Sequence, residues 1–201
     1  MNEQILIDDV CRRMIAFDRG DAKRIQHFLK VHAYARLIAH GEKVDTKTQR
    51  IIELAALVHD IGIHLAEEKY GRCDGKLQEQ EGPAPARALL AATGVSEDDI
   101  DRITWLVAHH HTYVPVDGID HQILIEADFL VNLYEDPVSA DAIRHAYEKN
   151  LPHRNWSSPL PRDLWLGRRV NAKRATISRK MVARCRFMRW HFAQRYSRQC
   201  R

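Results

Sequence analysis

The chain has 201 residues, 45% hydrophobic and 7% aromatic, and carries a net charge of +4. That length suffices for one substantial core and a small appendage. Charge is divided unevenly: residues 1–150 sum to −9, while residues 151–201 hold 14 Lys and Arg against one acid, Asp163, and sum to +13.

The four cysteines, Cys11, Cys73, Cys185 and Cys200, are scattered without CxxC spacing. Reduced thiols are expected, and a disulfide-framed secreted domain is excluded. The opening MNEQILIDD is acidic and lacks the basic-then-apolar order of a secretory signal, and no apolar run is long enough to span a bilayer. A cytoplasmic protein with no membrane partner is the expectation.

In chain order, Asp21 precedes a stripe of Ile25, Phe28, Leu29, His32, Ala35 and Ala39 spaced as one helical face, with Gly41 as its stop. Thr46-Lys47-Thr48-Gln49 fits a capping box that opens a helix through Leu54 and Val58, and Gly62 sits where that helix should end. The polar stretch Glu67 to Glu81, with Gly71 and Gly75, reads as a loop. Pro83 and Pro85 suit the first turn of a helix ending at Gly94. Ser96-Glu97-Asp98-Asp99 starts another, aligning Ile100, Ile103, Val107 and His110. A further helix covers roughly Gln122 to Tyr134, and Ser139 caps one ending near Glu148. No strand alternation competes and no internal repeat occurs, so residues 1–150 are expected to form an all-α bundle.

Polar, metal-competent residues interrupt these apolar faces. The phrase LVHDIGIH, Leu57 to His64, places His59 and Asp60 at the end of the run Leu54-Ala55-Ala56-Leu57-Val58. A buried ionised carboxylate is costly unless something pairs with it. His32, the pair His109-His110 and Asp128 intrude on other helices in the same way. Imidazoles and carboxylates can satisfy one another around a shared cation, and a mixed N/O set suits Mn, Fe, Co or Zn better than Mg or Ca.

His32, His59-Asp60 and Asp128 resemble the H…HD…D signature of the HD-domain superfamily of metal-dependent phosphohydrolases. AALVHDIG, Ala55 to Gly62, looks like its central motif. HFLKVHAYA, QEQEGP, HHHTY and IEADFLVNLYED are similar to an incompletely characterised bacterial branch, over roughly residues 21–148. The resemblance implies an HD-type helical bundle with a central metal site, in which His32, His59, Asp60 and Asp128 bind a first divalent ion and His59 and Asp60 are the catalytic pair. Members with two metals add further histidines. Here His109 and His110 fit the pair, Asp60 the bridge, and Glu81 stands where a His is usual. His111 and His64 are expected beside the site or at the surface. Lys69, Arg72 and Lys76, which follow the HD motif, are candidate phosphate contacts.

The implied activity is hydrolysis of a nucleotide or other small phosphate ester by metal-activated hydroxide. A di-iron oxygenase of the same superfamily is the enzymatic alternative, and Glu81 in place of a His counts against it. A non-catalytic signalling or nucleic-acid-binding module is the third reading, and its support is the basic tail. The expected partner is a small phosphorylated substrate, and a homo-oligomer stays open.

Residues 151–201 carry twelve Arg, two Lys, and Trp156, Trp165 and Trp190, the composition of a nucleic-acid-binding arm. The resemblance breaks abruptly at Lys149-Asn150-Leu151-Pro152. One permitted coding of Lys149 to Trp156, with a single A removed, reads Lys-Ile-Tyr-Arg-Thr-Glu-Thr-Gly, close to the ending of that branch. A frame-shifted, poorly packed C-terminus beginning near Lys149 is therefore preferred over a selected arm. If no single-base change in the lysine–asparagine codons restores the family-like ending, the frame-shift reading fails.

Overall fold

The computed structural model describes residues 3–135. They form α1 (Glu3–Phe17), α2 (Ala22–Glu42), α3 (Thr46–Val58), α4 (Ile63–Tyr70), α5 (Gly75–Glu81), α6 (Pro83–Ala91), α7 (Glu97–Val107) and α8 (Gly118–Glu135), with no strand among the described residues. The all-α expectation is met. The predicted helix from Ser139 and the basic tail lie outside the described residues. No helix among the described residues is long and apolar enough to cross a membrane.

α3 is the axis of the bundle. Every residue from Ile51 to Val58 is buried, because α1, α2, α7 and α8 all pack on it. Glu53 apart, that stretch is apolar on every side, as an interior helix segment should be. Each Leu or Ile removed from water there contributes about 1.5–3 kcal/mol. α1 adds an element to those predicted, burying Leu6, Ile7, Val10 and Met14.

Local chemistry sets the helix ends. Asp21 caps α2 as expected, its Oδ1 accepting from the Arg24 N–H at 3.0 Å. α2 then runs through Gly41, and Lys43, in the left-handed region at φ 55°, donates its backbone N–H to Ala39 and His40. The cap of α3 is Asp45, one residue before the predicted Thr46. Its carboxylate accepts from the Thr48 N–H at 3.0 Å, and an Asp in extended backbone serves this role well.

The predicted loop over Glu67–Glu81 is largely helical. α4 ends at Gly71, whose φ of 66° suits glycine, and α5 starts after Asp74. Ile63, Ala66, Cys73 and Leu77 bury a small apolar cluster between the two, so tertiary packing overrides the polar composition. The two helices approach at backbone contact: a Cβ on Gly62 would stand 2.6 Å from the Gly82 N and 2.8 Å from the Gln78 O. Cys11 is a free thiol, and Cys73 is buried.

Candidate metal centre

Two helix ends and two helices converge on one point. α3 stops at Val58, and the turn that follows lets the consecutive residues His59 and Asp60 both project inward. α7 likewise stops at Val107, and the turn beyond it carries His110 and His111. α2 supplies His27 and α8 supplies Asp128.

The distances tie these side chains together. His27 Nε2 lies 3.1 Å from Asp128 Oδ1 and 3.5 Å from Asp60 Oδ2. His59 Nε2 lies 3.4 Å from Asp60 Oδ2 and 3.6 Å from Asp128 Oδ1. His110 Nε2 lies 3.4 Å from Asp60 Oδ1. Asp60 thus faces two groups at once. His27, His59 and Asp60 bring one donor atom each within 4.8 Å of one another, and so do Asp60, His110 and His111.

Whether a cation fits is decided by the polar atoms themselves. His59 Nδ1 donates to the Ala56 carbonyl at 2.9 Å, and His110 Nδ1 donates to the Val107 carbonyl at 2.7 Å. In its neutral form each ring therefore turns a lone pair at Nε2 toward the carboxylates. His59 Nε2, Asp60 Oδ1 and His110 Nε2 are buried with no hydrogen-bond partner among the described residues. Buried atoms of this kind cost free energy unless something satisfies them. Nitrogen lone pairs and carboxylate oxygens facing inward from several elements match a divalent first-row ion.

The charges agree. Burial alone would raise the carboxyl pKa values of Asp60 and Asp128, yet the surrounding imidazoles hold both below the ordinary range. Burial disfavours the His27 cation, but hydrogen bonds to Asp128 and Glu135 outweigh it and carry that ring up to about 10. A proton on His27 thus occupies the electrostatic role a bound cation would take. His111 is driven the other way, to about 3, by burial and then by its neighbour His110, so it stays neutral. Its ring rests against Gly75, where a Cβ would meet the Cγ at 2.7 Å, and its Nε2 lies 3.0 Å from Gln78 Oε1.

Several predicted residues fall elsewhere. His32 is not beside Asp60; its Nε2 lies 2.9 Å from Glu53 Oε2, against α3. His27 takes the expected place. Five residues at about 100° each separate the two rings by roughly 140° around α2, and α2 packs on α3 with one face and on α8 with another. The apolar stripe that included His32 points at the wrong partner for chemistry. His109 also turns away, stacking on Trp105 with ring centroids 4.1 Å apart and donating from Nδ1 to the Trp105 carbonyl. His111, expected outside the cluster, is inside it. Glu81 is engaged by Lys69 and by the Tyr70 hydroxyl at 2.9 Å, and Lys69 holds its carboxyl below the usual range. Arg72 lies 3.5 Å from Asp74, and Lys76 is exposed. His64 is partly exposed, 3.1 Å from Asp18.

Sequence reasoning missed two supporting residues on α8. Asn132 donates to Asp128 Oδ1 at 2.8 Å from one turn away, and Glu135 lies 3.0 Å from His27 Nδ1. Their positions one and two turns after Asp128 are the only signal the sequence offers.

The fold is an all-α bundle that gathers buried His and Asp donors around one point, where they could hold a metal ion. Residues 24–154 match the HD domain, and the chain belongs to that family, whose members are generally metal-dependent hydrolases. Among solved structures it is similar to the selenomethionine form of YpgQ from Bacillus subtilis, at 20% identity over 99% of this chain and 94% of that one, with a TM-score of 0.49. No curated protein matches the chain.

Proposed function

We propose that the protein hydrolyses a phosphate ester of a small metabolite, with a nucleotide as the first substrate class to test. His27, His59, Asp60 and Asp128 would hold one divalent ion, and Asp60, His110 and His111 a second. The observation that carries this reading is the set of inward-facing, unsatisfied buried atoms, His59 Nε2, Asp60 Oδ1 and His110 Nε2. When bound, Mn, Fe, Co or Zn at such a site supplies hydroxide near neutral pH and neutralises charge on a phosphoryl group.

The chain's own residues do the rest. Asp60, with one oxygen toward His110 and the other toward His27 and His59, joins the two donor groups. The Ala56 and Val107 carbonyls hold the Nδ1–H of His59 and His110, so in the neutral ring Nε2 is the nitrogen left to bind metal. Asn132 holds Asp128 Oδ1 in place. The buried walls from α3 and α7 limit water around the reacting centre.

The test is metal analysis of the purified protein, followed by phosphate release from nucleotides, cyclic dinucleotides and phosphomonoesters. Bound divalent metal and metal-dependent release are expected, and Asp60→Ala should abolish both. If both survive Asp60→Ala, the proposal is wrong.

A further inference from the structure

The three imidazoles that turn Nε2 toward Asp60 and Asp128 are not held alike. His59 and His110 are pinned through Nδ1 by neutral backbone carbonyls. His27 is pinned by a carboxylate, Glu135 Oε2, at 3.0 Å, at the far end of α8 from its start at Gly118. The other oxygen of Glu135 accepts from the Lys30 ammonium at 3.0 Å. Lys30 lies three residues after His27 on α2, so the two helices are clamped by a Lys30–Glu135–His27 chain.

Two facts set this contact apart from ordinary surface pairing. A half-exposed Lys–Glu pair alone is worth little, yet here the carboxylate turns its second oxygen onto a ring that is 7% exposed. An ionised carboxylate can only accept, so Nδ1 of His27 must carry the hydrogen. That leaves Nε2 as the atom facing Asp128 and Asp60. An anionic acceptor on the outer nitrogen raises the donor strength of the inner one and fixes the ring's orientation.

We infer that Glu135 is a positioning residue that makes His27 a strong metal donor, with Lys30 fixing the carboxylate's orientation. The inference rests on the proposed metal centre and extends it to two residues outside the donor set. Its chemistry is acid–base and orientational; no bond to substrate is involved.

The test is zinc and manganese affinity of the full chain, measured by competition with a chelating dye, without any substrate. Glu135→Gln keeps an acceptor but removes the charge, and should weaken affinity roughly 10- to 100-fold. Lys30→Met should weaken it in the same direction by less. His27→Gln should weaken it as well, and adding Glu135→Gln to it should then cost little more, because Glu135 acts only through that ring. Affinity in Glu135→Gln within about twofold of wild type, or effects of the two changes that simply multiply, overturns the inference. Should Glu135→Gln fail to fold, an unchanged affinity in Lys30→Met overturns it instead. An unchanged affinity in His27→Gln removes the metal-centre reading as well, so the two failures are distinguishable.

Discussion

Two histidines on α2 separate chemistry from packing. His32 pairs with Glu53, a buried carboxylate that also accepts from Gln49 at 2.7 Å. Burial pushes the Glu53 pKa up, but the bonds to His32 and Gln49 outweigh it and hold the group low. A depressed carboxyl pKa contributes stability that is present above the unfolded value, about 4.3, and is lost as pH falls through the folded one. Wild type should therefore lose this contribution only under acid conditions. His32→Ala, which leaves Glu53 short of a partner, should cost about 1–3 kcal/mol at pH 7 with metal affinity unchanged. Urea unfolding at pH 7 and pH 3.5, beside a metal titration, checks both halves. A loss of metal affinity in His32→Ala would restore His32 to the centre.

Close backbone approach makes the α4–α5 pair one unit with the HD turn. Gly62 lies two residues after Asp60, and any Cβ there meets backbone atoms of Gln78 and Gly82, which cannot swing aside. Gly62→Ala should destabilise the fold by about 1–3 kcal/mol through overpacking. Gly75→Ala meets the His111 side chain first, a group that can give way, so it should cost less stability but displace that ring from Asp60 and His110. Thermal melts rank the two for stability, and a metal titration separates them. Equal stability costs would argue against the backbone contact at Gly62. The same region shows where composition misleads. Glu67 to Glu81 is polar enough to read as loop, yet Ile63, Ala66, Cys73 and Leu77 bury together and keep both segments helical.

For the whole molecule, the donors come from α2, the turn after α3, the turn after α7, and α8, so a bound ion would tie four parts of the chain together. Metal that binds the folded form stabilises it by about 2.7 kcal/mol at a hundredfold excess over Kd. Melting temperature should rise with added Mn or Zn, fall on chelation, and lose its metal dependence in Asp128→Asn. A metal-independent melt in wild type would show that the centre takes no ion.

The sequence by itself determined the helical class, the caps near Asp21 and Ser96, and the HD pair with Asp128 as polar intrusions that demand compensation. These are legible because hydrophobic period and cap chemistry are local. It could not determine which histidine joins them. His27 and His32 both lie on buried arcs of α2, and only the packing of α2 on α8 with one face and α3 with another decides between them. The same holds for His109 and His110: adjacent residues in a turn point apart, and one stacks on Trp105 while the other reaches Asp60. Glu135 makes the limit plain. Its distance from His27 is 108 residues along the chain and 3.0 Å in space, a closeness that exists only once α2 and α8 have packed.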